Sequence, residues 1–122
     1  MAFLFQNWQV YKDARLLRKE VSDVIKTYPV EERFALADQT RRAMLSVMLE
    51  IAEGSNRRTE KDKVVFVNRA FTSLYEVLAC FDCALDDKYI TQNQYKIFYE
   101  KIENIAKQLR GLEKHLSAEP KL

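Results

Sequence analysis

The chain has 122 residues, which fits a single domain with a sizeable core. Only two glycines and two prolines occur, as is typical of long helices, and 31% charged with 48% hydrophobic residues argues against disorder or a membrane-spanning chain. The net charge of +2 gives little general support to nucleic-acid binding, and the short apolar start lacks the basic stretch of a signal peptide. We therefore expect an all-α, cytoplasmic protein.

The first predicted helix covers 7–27. Apolar residues recur at three- and four-residue steps from Trp8 to Val24, so they form one stripe along a helix. Tyr28 and Pro29 follow, and proline disfavours a helical conformation in the residue before it. We therefore expect the first helix to end at this pair.

The second predicted helix covers 34–53 and leads into the clearest turn of the sequence. Asp38 is a candidate N-cap, because its carboxylate can accept free backbone N–H groups. Gly54 can take the left-handed conformation that ends many helices, and positions 54–58 read Gly-Ser-Asn-Arg-Arg, which is typical of a turn. The residues predicted to face the core are Ala43, Met44, Val47, Met48 and Ile51.

The third predicted helix covers 60–86 and is apolar on two faces. Thr59 and Asp62 have the spacing of a capping box. One stripe comprises Val64, Val67, Phe71, Leu74, Leu78, Phe81 and Leu85, and the second set comprises Phe66, Ala70, Tyr75, Val77 and Ala84. A lone bundle covers one face of each helix, so the second set indicates contacts between subunits, the favoured interpretation. The alternative is a central helix in an asymmetric monomer.

The fourth predicted helix covers 91–117. Thr91 and Gln94 form a capping box at its start. A seam with regular three- and four-residue steps follows, made of Tyr95, Phe98, Ile102, Ile105, Leu109, Leu112 and Leu116. Because three short connections make each helix antiparallel to the next, we predict an antiparallel up-and-down four-helix bundle spanning 1–122 and assembling as a homo-oligomer.

Residues that could support catalysis or bind a metal are few. Cys80 and Cys83 form a Cys-x-x-Cys pair, but it lies inside a helical pattern, and His115 is the only histidine. We expect two reduced thiols with at least one in the core, the alternative being a site shared between subunits. Neither a glycine-rich phosphate loop nor paired Glu-x-x-His motifs occur. The prediction is therefore a protein that is not an enzyme and uses neither a cofactor nor a metal.

The charges are distributed unevenly along the predicted bundle. Antiparallel order brings the start of the first helix, the turn at 54–63 and the end of the fourth helix to one end, which is positive, while the other end is negative. In an oligomer these ends would form a basic rim able to meet RNA phosphates. The alternative is a solvated surface with internal salt bridges. The candidate phosphate-binding residues, here called the basic set, are Lys12, Arg15, Arg57, Arg58, Lys61, Lys63, Arg110 and Lys114.

Two ion pairs are predicted from helix geometry. Pairing the second and third helices about the turn places Arg42 less than one turn from Glu76, which predicts an interhelical ion pair. Glu53 lies at a helix C-terminus, where the helix dipole disfavours an anion. It therefore needs a positive partner, and Arg57 or Arg58 is close enough in sequence to supply one.

The second helix carries the most specific sequence pattern. Residues 39–46 read Gln-Thr-Arg-Arg-Ala-Met-Leu-Ser, and residues 51–57 read Ile-Ala-Glu-Gly-Ser-Asn-Arg. This pattern resembles the signature of the 23S rRNA intervening-sequence protein family, which usually has asparagine where this chain has Glu50. The third helix is similar to the family pattern at Phe66, Ala70, Ser73, Leu74 and Glu76.

The resemblance implies a homopentamer of four-helix bundles for which RNA binding is suspected, and it offers no catalytic residues. It also implies a likeness in shape to the accessory subunit of diversity-generating retroelements, which engages a reverse transcriptase. The first hypothesis is therefore a homo-oligomeric RNA-binding protein, with rRNA as the expected class of RNA. The second is a protein-interaction scaffold or accessory subunit of a nucleic-acid enzyme. Neither hypothesis involves a membrane.

Overall fold

The chain is helical throughout the computed structural model, which describes residues 2–117. Its four helices are α1 (Gln9–Ile25), α2 (Leu36–Ser55), α3 (Glu60–Asp86) and α4 (Gln92–Ser117), and no strand occurs within the described residues. Short 3-10 turns at Leu4–Asn7 and Val30–Glu32 precede α1 and α2. The predicted ranges differ from these bounds by two residues at most.

Capping side chains begin α3 and α4. Thr59 Oγ1 accepts a hydrogen bond from the backbone N–H of Asp62 at 3.1 Å. At α4 the Thr91 N–H donates to Gln94 Oε1 at 2.8 Å, and the Gln94 N–H donates to Thr91 Oγ1 at 3.1 Å. Both predicted capping interactions are confirmed, and they satisfy backbone donors that a helix start leaves free.

Gly54 has a different role from the one predicted. It is buried inside α2, and no glycine has a positive φ within residues 2–117. A Cβ atom at Gly54 would lie 2.8 Å from the Cβ of Phe66 on α3. The expectation of a left-handed C-terminal glycine is therefore wrong, because Gly54 instead allows α2 and α3 to approach closely. The predicted N-cap is also wrong, since Ala35 precedes α2 and Asp38 lies in its first turn.

The core runs through all four helices. The buried faces of α1 and α2 largely match their predicted stripes, from Tyr11 to Val24 and from Ala43 to Ile51. Phe81 of α3 stacks on Phe98 of α4 with ring centroids 4.6 Å apart. Each helix packs against its neighbours in sequence, and α1 also packs against α4, so the described residues form a four-helix bundle.

α3 lies centrally, between α2 and α4. Four of the five residues in its second apolar set are buried within the chain, and only Tyr75 is mainly exposed, at 65%. The second face of α3 therefore does not require another subunit, and this part of the oligomer argument is wrong. By length and composition alone α3 could also span a membrane, a property that the buried core helix of a soluble protein shares.

The two cysteines occupy different environments on α3. Both are free thiols, with Cys80 buried and Cys83 exposed. Burial raises the pKa of the Cys80 thiol, which lowers its reactivity as a nucleophile. The prediction that at least one of the two thiols lies in the core is confirmed.

Candidate nucleic-acid interface

One end of the bundle gathers the segments expected to form the basic surface. A cavity of about 250 Å³ there is lined by Trp8 just before α1, Ser55 at the end of α2, Lys63 in α3 and Leu112 in α4. The start of α1, the turn between α2 and α3 and the end of α4 therefore meet at one end, called the basic end below.

Most of the basic set is exposed and forms no ion pair within the described residues. Lys63 is half-buried and pairs with Glu60 at 3.5 Å, and Arg110 is exposed and pairs with Glu113 at 3.7 Å. Within residues 2–117 the other six have no carboxylate oxygen within 4.0 Å of their charged nitrogens. They are Lys12, Arg15, Arg57, Arg58, Lys61 and Lys114. An excess of unpaired positive charge at one surface attracts polyanions.

Two arginines stack on the same aromatic ring beside the turn. The guanidinium carbon of Arg57 lies 4.5 Å from the centroid of the Phe66 ring, and that of Arg69 lies 4.7 Å from it. Phe66 itself is buried against Gly54. Because a stacked guanidinium keeps its N–H donors at its edge, both arginines can still bind an oxyanion.

Arg69 was missed by the sequence analysis. It lies on α3, outside the turn that was used to choose the basic set. It is close to Arg57 of the turn because both guanidiniums lie over the same Phe66 ring. The available signal was its spacing, three residues after Phe66, which places both residues on one side of a helix. Lys12 and Arg15 are exposed on the first two turns of α1.

Arg110, on α4, is a third arginine that stacks on an aromatic ring. Its guanidinium carbon lies 4.7 Å from the centroid of the Phe71 ring on α3. The ion pair with Glu113 offsets part of its charge. Arg110 is therefore a weaker candidate for a phosphate contact than Arg57 or Arg69.

The predicted Arg42–Glu76 ion pair is not formed. Arg42 Nε lies 2.8 Å from Asp38 Oδ2, one turn earlier on the same helix, and Glu76 accepts a hydrogen bond from Gln39 Nε2. Hydrogen bonding from Arg41, with a smaller contribution from Arg42, lowers the pKa of Asp38. An i,i+4 pair needs no particular helix-to-helix register, which explains why the local partner is the one found.

Glu53 also lacks its predicted partner. Within the described residues, neither Arg57 nor Arg58 brings a charged nitrogen within 4.0 Å of it. Arg57 is held on the Phe66 ring instead. The aromatic contact therefore leaves the guanidinium of Arg57 available at the surface.

Glu50 is a buried acceptor at the basic end. It lines the cavity, and within residues 2–117 its Oε2 atom is buried without a hydrogen-bond partner. Burial raises the pKa of the Glu50 carboxyl, the negative charge of Glu53 raises it further, and Arg69 partly offsets the effect. His115 lines the same cavity, but no group of three or more potential metal ligands is found among the described residues.

The fold and this surface define a small all-α bundle protein with stacked arginines at one end. The chain belongs to the 23S rRNA-intervening sequence protein family, whose model matches residues 6–111. It is similar in fold to a protein of unknown function from the S23 ribosomal protein family of Bacteroides thetaiotaomicron VPI-5482. That similarity has a TM-score of 0.80 at 21% identity and covers 86% of this chain and 98% of the other. No curated protein matches the chain.

Proposed function

We propose that this chain is a non-enzymatic RNA-binding protein, with rRNA as its class of target, that contacts phosphates through the basic end. The observation that carries the proposal is the pair of guanidiniums on Phe66, at 4.5 and 4.7 Å from the ring centroid. The family description, which refers to an rRNA intervening sequence, supports RNA as the polyanion. An rRNA partner implies a cytoplasmic location.

Stacking prepares Arg57 and Arg69 for phosphate binding. Each guanidinium is already restrained by the ring, so less side-chain entropy is lost when its N–H groups bind an oxygen. Phosphate contacts fix position without reading sequence, so this part of the interaction is weakly specific. Because binding releases counterions, the affinity should fall steeply with salt concentration.

A titration of short fluorescent RNAs at several salt concentrations tests the proposal. Arg57→Gln/Arg69→Gln should weaken binding about tenfold per arginine and should reduce the slope of log affinity against log salt by roughly 1.4 on single-stranded RNA. The matched control is Arg33→Gln/Lys96→Gln, which removes the same charge from two exposed residues away from the basic end. Absence of binding at low salt, or equal losses in both double variants, would refute the proposal.

Self-association is the second part of the proposed function, and the pentameric number follows from the family resemblance. Exposed apolar side chains on both sides of α4 support self-association. Leu16 and Ile97 lie along a groove between α1 and α4, and Tyr75 and Tyr99 lie along a groove between α3 and α4. Exposed apolar area of this kind is typical of an interaction surface.

Light scattering at micromolar concentration tests the assembly. The wild-type protein should have the mass of an oligomer, and Tyr75→Lys/Tyr99→Lys should reduce it to that of one chain. The control Val30→Lys/Phe34→Lys changes two other exposed apolar residues and should leave the mass unchanged. A monomeric wild-type protein would refute this part of the proposal.

The same α3–α4 groove also favours a second candidate function. A protein-interaction scaffold, or an accessory subunit of a nucleic-acid enzyme such as a retroelement reverse transcriptase, would dock a partner on Tyr75 and Tyr99 without needing RNA affinity. Recovery of one stoichiometric partner that Tyr75→Lys/Tyr99→Lys releases, together with no RNA binding, would favour this function over the first.

A further inference from the structure

The outer face between α3 and α4, called the tyrosine side below, has an aromatic groove with one charged residue in its lining. The groove has a volume of about 170 Å³, and the exposed Tyr75 and Tyr99 line it together with Glu103. The Glu103 carboxylate pairs with Lys107 at 3.8 Å, but both side chains are exposed, and exposed pairs of this kind are weak. Tyrosine rings beside a carboxylate suit an arginine, because a guanidinium stacks on aromatic faces and donates hydrogen bonds to carboxylates.

The outer face between α1 and α2, called the arginine side below, supplies such residues. Arg18 and Arg41 line a small groove there, together with Ser22 and Leu45. Arg18 forms no ion pair within residues 2–117, whereas Arg41 pairs with Asp38, one turn earlier on its own helix. Arginine and tyrosine are both enriched in protein interfaces and among the residues that dominate their binding energy. The arginine side therefore complements the tyrosine side in charge and in residue type.

The outer face between α1 and α4 is a poorer match for the tyrosine side. Three carboxylates line its groove, on Asp13, Glu20 and Glu100, and the one cation among its described lining residues, Lys101, is paired with Glu20. A contact of this face with the tyrosine side would place these carboxylates opposite Glu103, and like charges that face each other disfavour binding. Charge therefore favours the arginine side as the partner surface.

The tyrosine side and the arginine side lie opposite each other on the bundle. Within the described residues each helix packs against its neighbours in sequence and α1 packs against α4, whereas α1 does not contact α3 and α2 does not contact α4. The four helices therefore form a square in chain order. A second copy that is set alongside in the same orientation brings its α1 against α4 and its α2 against α3. A contact between two different sides continues from copy to copy and can close into a ring.

The facing residues also match in height along the bundle. Arg18 lies seven residues before the end of α1, and Tyr99 lies seven residues after the start of α4, at the same end of the bundle. Arg41 lies five residues after the start of α2, and Asp82 lies four residues before the end of α3. Asp82 is exposed and accepts a hydrogen bond from the hydroxyl of Tyr95 on α4 at 2.6 Å, which places it on the tyrosine side. Since a helix rises about 1.5 Å per residue, both pairs are nearly level.

We infer that the tyrosine side of one copy binds the arginine side of the next copy. Arg18 enters the groove between Tyr75 and Tyr99 of its neighbour, and Arg41 lies opposite Asp82. The inference rests on the self-association in the proposed function, to which it adds the two surfaces and their order. Because all copies then share one orientation, their basic ends lie on one face of the assembly, where a single RNA can contact several copies.

Two double variants and their mixture test this order by light scattering at low micromolar concentration. Tyr75→Lys/Tyr99→Lys changes only the tyrosine side, and Arg18→Ala/Arg41→Ala changes only the arginine side. Each variant alone should have the mass of one chain. An equal mixture should contain a dimer with one chain of each kind, because the intact arginine side of the first variant can bind the intact tyrosine side of the second. Formation of this dimer also shows that both variants are folded.

The matched control for the arginine side is Lys19→Ala/Arg42→Ala. It removes the same charge from the same two helices, and Arg42, like Arg41, loses an ion pair with Asp38. Neither Lys19 nor Arg42 lines the groove of the arginine side. The control should therefore keep the mass of the wild-type protein, and circular dichroism should show equal helix content in all variants.

The possible results separate this inference from the proposed function. An oligomeric wild-type protein whose mass is unchanged by Arg18→Ala/Arg41→Ala would overturn the inference and leave self-association standing. Two single-chain variants that do not associate when mixed would also overturn it, as would an equal loss of mass in the control. A wild-type protein with the mass of one chain would refute self-association itself, and the salt titration with RNA would still test the basic end independently.

Discussion

Replacement of the two glycines by alanine tests the close contact between α2 and α3. Gly54 is buried in α2, and an added Cβ would lie 2.8 Å from the Cβ of Phe66. Gly111 is exposed in α4, and no heavy atom outside its own helical backbone lies within 4 Å of an added Cβ. Both positions are helical, so the two substitutions share the same change in helix propensity and differ in packing.

The two effects on stability can be compared in magnitude. Replacing a helical glycine by alanine stabilises a helix by about 0.5–1 kcal/mol, which is the whole effect expected at Gly111. At Gly54 the added methyl group must displace Phe66, and such overpacking costs about 1–3 kcal/mol. Gly54→Ala should therefore lower the free energy of unfolding by about 1–2 kcal/mol, and Gly111→Ala should raise it by nearly 1 kcal/mol.

Urea unfolding followed by circular dichroism, at one fixed protein concentration, measures both changes. In thermal unfolding the two variants should differ in Tm by about 8–12 °C, since they differ by about 2–3 kcal/mol and 1 kcal/mol corresponds to about 4 °C for a domain of this size. If Gly54→Ala stabilises the protein as much as Gly111→Ala does, the close α2–α3 contact is not what requires glycine at position 54.

Other substitutions test a helix cap and two perturbed side chains. Thr91→Ala should lower the free energy of unfolding by about 1 kcal/mol, and the exposed mid-helix change Thr72→Ala by less than about 0.5 kcal/mol, in urea unfolding. Burial raises the pKa of the Glu50 carboxyl, so its charged form destabilises the folded state at pH 7. Glu50→Gln should therefore raise the urea midpoint at pH 7. The gain should vanish below about pH 4, where glutamate is protonated in both the folded and the unfolded state. Hydrogen bonding to Glu32 raises the pKa of Tyr89 to about 12. The stability that this bond contributes below pH 10 should therefore be lost as the pH rises to 12. Tyr89→Phe should reduce that loss, as measured by urea midpoints in a pH series.

Each of these substitutions has an outcome that would contradict its reasoning. Equal losses in Thr91→Ala and Thr72→Ala would show that the capping box does not stabilise α4. A Glu50→Gln gain that persists at pH 3 would exclude the carboxylate charge as its cause. An unchanged alkaline loss of stability in Tyr89→Phe would show that the Tyr89–Glu32 hydrogen bond does not contribute to it.

The sequence alone determined the features that depend on neighbours within a few residues. Apolar residues at three- and four-residue steps predicted each of the four helices, and the Thr91–Gln94 spacing predicted the start of α4. These features are local because a helix joins residues that are three or four positions apart. The family could be recognised for a similar reason, since its most specific motif lies in one continuous segment around α2.

Only the tertiary structure decided which helix faces meet, because sequence periodicity shows that a face is buried but not what covers it. Thus the second face of α3 was assigned to another subunit although α2 and α4 of the same chain cover it. The role of Gly54, the arrangement of Arg57 and Arg69 on Phe66, and the buried oxygen of Glu50 all depend on contacts between elements. Such contacts arise from helix packing, where a shift of a few ångströms changes the partner of a side chain.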